Sequence, residues 1–246
     1  WRGFAKLKST YTEALLNLLD ANSRIHTTYN QINTTTGRLS STNPNLQNIP
    51  IRTDMGLKIR ECFIAKPGHK IISSDYSQVE LRLMAVVAGV KALKEAFNHG
   101  IDIHAATAAK VFGVPADQVD HNLRRHAKTI NFGVIYGISQ YGLAKQLGIS
   151  ADEAKIYIDN YFRQMPEIKA YMEKTIAFAH KNGFVLTPYG RKCFVFGIND
   201  KNKRISSNAE RAAINAPLQG GAADIIKMAM NQCLWRLQNQ NAVAGS

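Results

Sequence analysis

Between Lys91 and Asn182 six helix-like segments follow one another almost without interruption, and this run limits the possible folds more than any other feature of the sequence. Lys91–His99, His104–Phe112, Leu123–Tyr136, Gln140–Leu147, Ala151–Met165 and Glu167–Asn182 are separated by glycine, proline or serine, the residues that punctuate helices. Ser150 with Glu153 forms a capping box, and Gly183 stands where a helix that begins near Glu167 should end. Short β-prone runs flank the block. Cys62–Ile64 and Lys70–Ser74 surround Lys66-Pro67-Gly68, while Phe184–Thr187 and Cys193–Phe196 surround Pro188-Tyr189-Gly190, so two hairpins are expected. Strands on both sides of a helical block predict an α+β fold, an antiparallel sheet with a large helical insertion, rather than alternating α/β.

The remaining segments fit this frame. Trp1–Leu19 reads as a short helix, Gln31–Gln47 as a long polar loop, and Val79–Gly89 as a buried helix. Asp200–Ser207 reads as a basic loop leading to a helix over Ala209–Leu237, interrupted at Pro217 and at Gly220-Gly221. Lysine and arginine number 31 against 18 acidic residues, a formal net charge of +13 in 246 residues, which predicts a polyanionic partner. With 45% hydrophobic and 20% charged residues the chain is not disordered, and the apolar stretch Met84–Val90 is too short to span a bilayer, so no membrane association is expected. Three distant cysteines fit neither a disulfide framework nor a zinc site; they predict a reducing compartment, the cytoplasm. No secretory signal is visible at Trp1–Thr10, and a chain that begins at tryptophan is expected to have lost its natural start.

Three constellations could carry chemistry. In the first, an apolar run ends at Asp75 and turns into a helix, which places a carboxylate where a hard cation such as Mg²⁺ could reach it. The plainer alternative is that Asp75 caps the helix. In the second, Arg124, Lys128, Phe132 and Tyr136 recur every four residues. On a helix they form one stripe about 18 Å long at ~1.5 Å per residue. Its order, two cations then two aromatics, matches a nucleoside triphosphate, phosphates at one end and a flat base at the other. The cations also lie at the positive end of the helix dipole. An ordinary amphipathic face is the alternative. The third constellation is diffuse: Arg38, Asn45, Gln47, Asn48 and Arg52, with Arg211, Asn215 and Gln219 further on. Amides and guanidinium groups suit phosphate oxygens and minor-groove acceptors, whereas the plainer reading is a polar loop and a solvated helix face.

Taken together these segments resemble the polymerase domain of family A DNA polymerases. Asp75-Tyr76-Ser77-Gln78-Val79-Glu80-Leu81-Arg82 resembles the family's motif A and Arg124 through Gly137 its motif B. Thr36 through Pro50 and Glu210 through Gln219 resemble its primer-template segments. The resemblance runs from about Lys6 to Leu237. It implies an antiparallel-sheet palm over 1–90, helical fingers over 91–205 with the motif B helix at 123–137, and a return to the palm over 206–246. It implies deoxynucleotidyl transfer in DNA replication and repair, by a protein that is monomeric and takes primer-template DNA and dNTPs as partners. Asp75 would ligate a pair of Mg²⁺ ions, helped by the Tyr76 carbonyl. Glu80 would be the steric gate under the sugar, bonded toward Tyr136. Arg124 and Lys128 would hold the triphosphate and serve catalysis. Phe132 would pack on the nucleotide, Tyr136 would sit beside the templating base, and His104 and Gln78 would complete the nucleotide site. Arg38, Asn45, Gln47, Asn48, Arg52, Arg211, Asn215 and Gln219 would contact DNA. Phe132 in place of tyrosine implies discrimination against dideoxynucleotides.

Two features depart from the family. Gly221 stands where threonine is usual and is expected to loosen its helix. More consequentially, two-metal chemistry needs a second aspartate, which the family takes from a His-Asp-Glu turn, motif C, and no His-Asp-Glu occurs in this sequence. The expectation is a chain that stops before its second catalytic carboxylate, lacks a thumb, and polymerises little by itself. A single-subunit RNA polymerase and a non-catalytic nucleic-acid-binding module are the competing readings, and Glu80 as a sugar gate argues for deoxynucleotides.

Overall fold

A computed structural model describes residues 1–51 and 53–243. The chain divides into two compact units, the first ending at Tyr76 and the second beginning at Ser77. The described residues are mostly helical, with one small antiparallel hairpin in each unit.

In the first unit, helix α1 (Arg2–Leu7) runs into a wider-turned segment (Lys8–Glu13) and then a tighter one (Leu16–Leu18), so the single short helix expected there is three tandem pieces. Strand β1 (Thr28–Asn30) pairs antiparallel with β2 (Ser40–Thr42) in the register Thr28 with Thr42 and Asn30 with Ser40. The loop expected over Gln31–Gln47 therefore has a strand inside it. Ser41 explains why: it is buried, and its hydroxyl bonds Thr27 at 2.7 Å, accepts from the Leu46 N–H at 3.0 Å and donates to the Pro44 carbonyl at 3.2 Å. Helix α2 (Asp54–Glu61) starts where the Thr53 hydroxyl accepts the Gly56 N–H at 3.2 Å. The hairpin expected over Cys62–Ser74 does not form. Ile71 and Ile72, which a strand would point to opposite faces, are 64% and 91% exposed, so the described residues of this unit bury neither side of the segment, and a lone two-stranded hairpin is marginal in water.

The helical block of the second unit follows the sequence closely. It comprises α3 (Val79–Val87), α4 (Lys91–Asn98), α5 (Ile103–Phe112), α6 (His121–Ile135), α7 (Gln140–Leu147), α8 (Ala151–Gln164) and α9 (Pro166–Asn182). Side chains cap four of these helices: Asp102 on α5, Asp120 on α6, Ser139 on α7, and the Ser150–Glu153 capping box on α8. Leu81, Met84, Ile130, Ile135, Leu143, Tyr161, Ile168 and Leu218 fill one core, each leucine, isoleucine and methionine side chain stabilising the fold by roughly 1.5–3 kcal/mol on burial. Strands β3 (Phe184–Leu186) and β4 (Lys192–Phe194) form the expected second hairpin. It packs on α10 (Lys203–Val243) around Val185, Cys193, Ala209, Ala213 and Ala216.

Helix α10 corrects two expectations, because it takes in most of the basic loop and runs unbroken through Pro217, Gly220 and Gly221. The glycines are there for space. A Cβ on Gly220 would come within 2.6 Å of Thr187 Cγ2, and one on Gly221 within 3.0 Å of Pro188 Cδ. The turn of the hairpin is thus pressed onto bare helix backbone. Arg191 fastens it by donating from Nη2 to the Gly220 carbonyl at 3.1 Å and from Nε to Asp224 at 2.8 Å. In Gly220→Ala the better helix propensity, ~1 kcal/mol, is expected to lose to overpacking of about 1–3 kcal/mol. Urea unfolding should show a lower midpoint, and a raised one would contradict the packing account.

Candidate functional site

The stripe expected on α6 is present in the second unit. Asp120 caps the helix by accepting the Leu123 N–H at 2.7 Å, one residue before Arg124. Arg124 is partly buried, Lys128 exposed, and Phe132 and Tyr136 partly buried. The two rings stack with centroids 6.5 Å apart at 30°. Cations lie toward the start of the helix and aromatics toward its end.

Helix α5 supplies the groups that hold this stripe. Asp102 accepts the N–H groups of His104 (2.9 Å) and Ala105 (3.2 Å) through Oδ1, and the Nε–H of Arg124 (2.6 Å) through Oδ2. Burial opposes ionisation of Asp102, but the bond from Arg124, the two N–H groups and the nearby positive charge outweigh it. Its carboxyl is held below the ordinary carboxylate range. His104 is 2% exposed, with its ring centroid 5.8 Å from that of Phe132. Its Nδ1 accepts from Asn131 Nδ2 at 3.0 Å, which places the proton of the neutral ring on Nε2. Burial, reinforced by the charges of Arg124 and Lys128 and opposed by Asp102, lowers the His104 pKa, so the ring is neutral at pH 7. Thr107 closes the buried network by donating to Asn131 Oδ1 at 3.2 Å.

At the other end of the stripe the Tyr136 hydroxyl donates to Glu80, which is 7% exposed in the first turn of α3. Gln78 precedes α3 with a left-handed backbone, φ 54°, and its buried Oε1 has no partner among the described residues. Gly137 follows Tyr136 at φ +66°, and a Cβ there would come within 2.9 Å of Arg211 Cγ. This contact brings α10 beside the aromatic end of α6. On α10 Arg211, Asn215 and Gln219 recur every four residues. Arg211 donates from Nη2 to Asn208 at 2.7 Å and from Nε to the Ser207 carbonyl at 3.3 Å, while the buried Oδ1 of Asn215 has no partner among the described residues.

The other sequence-derived residues lie in the first unit, except Arg52, which is outside the described residues. Arg38, Asn45, Gln47 and Asn48 are exposed on the segment around β2. Gln47 is committed inward, accepting the Ser41 N–H at 3.2 Å and donating to the Leu39 carbonyl at 3.1 Å. Asp75 and Tyr76 are exposed at the end of the unit. Their carboxylate and carbonyl are hard oxygen donors suited to part of a Mg²⁺ shell. Among the described residues no three His, Cys, Asp or Glu gather as a metal site, so these donors fit one ion in part and not a pair.

Asp102, Thr107, Asn131 and Asn208 were not among the sequence candidates. Asp102 had a readable signal, an aspartate just before a helix. The others announce themselves only through partners that the fold brings near.

The chain belongs to DNA polymerase family A, whose family model matches residues 1–244. It is 53% identical to DNA polymerase I of Pseudomonas aeruginosa over 231 residues, 94% of this chain and 25% of that one. It is 45% identical to the thermostable DNA polymerase I of Thermus aquaticus over 243 residues, 98% of this chain and 29% of that one. Among solved structures, the POL domain of Pol1 from M. smegmatis in complex with DNA primer-template and dNTP superposes with a TM-score of 0.89 at 43% identity, covering 98% of this chain and 42% of that one. The chain thus spans about a quarter of the length of the DNA polymerase I relatives it matches. No described helix is long and apolar enough to cross a membrane.

The lowered His104 pKa has a definite sign for stability. Well above pH 6.5 the ring is neutral both folded and unfolded. As the pH falls through 6.5 the unfolded chain takes up a proton that the folded ring resists, and stability is lost until the pH reaches the lower pKa of the folded ring. His104→Gln can still accept from Asn131 but cannot titrate, so the stability advantage of the unsubstituted protein over this variant should shrink between pH 7 and pH 5 in urea unfolding. A difference independent of pH would contradict a buried neutral imidazole.

Proposed function

We propose that the polypeptide to which these residues belong performs template-directed DNA synthesis, transferring a deoxynucleotide from a dNTP to a primer 3′-hydroxyl in DNA replication and repair. The observation that carries this reading is α6, with an anchored guanidinium and an ammonium at one end, two stacked aromatics at the other, and Tyr136 bonded to Glu80. The solved relative that resembles the chain over nearly its whole length holds primer-template DNA and a dNTP.

In this reading residues 1–90 and 206–246 belong to an antiparallel-sheet palm and 91–205 to inserted fingers. Arg124 and Lys128 bind the triphosphate, where positive charge stabilises what develops on the leaving pyrophosphate. The primer 3′-oxygen attacks the α-phosphorus, the bond to the β-phosphate bridge breaks, and pyrophosphate departs. Phe132 and Tyr136 give the base and sugar an apolar wall. Glu80, held by Tyr136, fills the space of a ribose 2′-hydroxyl. Neutral His104 and Gln78 lie on the elements that carry Arg124's anchor and Glu80. Arg38, Asn45, Asn48, Arg52, Arg211, Asn215 and Gln219 contact phosphates and groove edges, with Gln47 bracing their loop. Bound Mg²⁺ would supply activation of the hydroxyl and neutralisation of the phosphates. Asp75 and the Tyr76 carbonyl would hold one ion in part. The 246 residues alone are therefore expected to polymerise little.

Primer extension by the full-length polypeptide tests the reading. Asp75→Ala should lose at least ~10³-fold in rate, the scale of removing a group that acts only in the transition state. Glu80→Ala should raise ribonucleotide use relative to deoxynucleotide use. Full activity of Asp75→Ala would refute the role of Asp75. Ribonucleotide preference in the unsubstituted protein would favour an RNA polymerase. DNA binding without incorporation would favour a binding module.

A further inference from the structure

Arg124 is the one cation of the α6 stripe whose guanidinium another helix grips. The grip is on one edge only. Asp102 takes Nε at 2.6 Å, and among the described residues neither Nη atom has a partner. The carboxylate that grips it cannot swing freely, because its other oxygen is occupied by the N–H groups of His104 and Ala105 at the start of α5. Helix α6 is fixed one residue before Arg124 by the Asp120 cap, and α5 and α6 are locked together further along by His104, Asn131 and Thr107.

We propose that Asp102 is a positioning residue for nucleotide binding: it holds the Nε edge of Arg124 so that the two Nη groups stand ready to take phosphate oxygens as a fork. The proposal rests on the reading of α6 as the triphosphate site. An arginine has many rotamers to lose, and its fork binds an oxyanion pair well only when its plane is already set. A carboxylate that fixes the plane from behind removes much of that cost before the nucleotide arrives. The same carboxylate also repels a triphosphate, which works in the opposite direction. The pair is 43% and 39% exposed, so water screens the repulsion, whereas the loss of rotamer freedom is not screened. Orientation therefore outweighs repulsion, and by the small margin typical of exposed pairs.

Steady-state primer extension by the full-length polypeptide separates these effects, with Asp102→Asn as the variant. Asparagine caps a helix as well as aspartate does, so α5 keeps its start while the charged grip is lost. The expected result is a dNTP KM raised about two- to fivefold, the range of an exposed ion pair, with kcat little changed. In an Arg124→Ala background the same substitution should leave KM unchanged, because no guanidinium remains to be oriented. An equal KM penalty in both backgrounds would show a role confined to capping α5 and overturn the proposal. A KM lowered by Asp102→Asn would show a competing counter-ion and overturn it as well. If Arg124→Ala alone left KM unchanged, the reading of α6 as the triphosphate site would fail, and the proposal with it. Circular dichroism melting of Asp102→Asn should match the unsubstituted protein within a few degrees.

Discussion

The buried contact among His104, Asn131 and Thr107 sets the relation between α5 and α6, and most of the candidate site hangs on that relation. All three groups are nearly inaccessible to water, so each must find its partner within the protein. Sliding α5 along α6 by a single turn would leave several of them unpaired, at about 1–3 kcal/mol each. Apolar neighbours alone would resist such a slip far less, since one aliphatic contact resembles the next. The polar triad gives the helix pair one register. Because Asp102 precedes α5 and Arg124 opens α6, the same register brings carboxylate and guanidinium to 2.6 Å. The order of cations and aromatics along α6 is a property of sequence, but where the cations stand is a property of this contact.

A second constraint acts at the far end of α6. Arg211 lies against Gly137, which has no Cβ and a left-handed backbone, and α10 is held in turn by the hairpin turn pressed on Gly220 and Gly221. Three glycines thus determine how closely separate elements approach. Any side chain at Gly137 would push Arg211 aside, and one at Gly220 would meet buried Thr187. The glycine cost in helix propensity is local and small, whereas the packing it permits links β3, β4 and α10 into one body.

Helices α4 to α9 were legible because caps, glycines and a 3.6-residue period all pointed the same way along the chain. The stripe on α6 was legible for the same reason, since four-residue spacing fixes a shared face whatever the surroundings. Legibility ended where distant residues decide the outcome. Local rules stop a helix at Pro217 or Gly220-Gly221, but the hairpin that uses those glycines lies some thirty residues earlier, and α10 continues. Local rules also favour strands at Lys70–Ser74, yet strand formation requires a neighbouring surface, which the described residues of the first unit do not provide. Ser40–Thr42 went the other way, a polar segment pinned into a strand by the buried hydroxyl of Ser41. Asn131 and Thr107 had no signal at all, because a buried amide is distinguishable from an exposed one only by what it touches.

The net charge of +13 set an expectation of an anionic partner, but the structure divides the arginines by how they are used. Arg191 gives Nε to Asp224, Nη2 to the Gly220 carbonyl and Nη1 to Cys193 Sγ at 3.7 Å, so its donors are committed inward and its charge is structural. Arg82 gives Nε to the Ser77 carbonyl and lies 4.3 Å over the ring of Phe97, bracing α3 on α4. Arg124 is held, among the described residues, by the Nε edge of its guanidinium. Arg211, near Gly137, is held by Asn208 and Ser207, which are neutral and supply no countercharge. A guanidinium fixed in direction but short of partners has been ordered in advance, so a phosphate that meets it pays less of the entropic cost. Composition counts all four residues alike, and the hydrogen bonds around each decide which of them can serve a ligand.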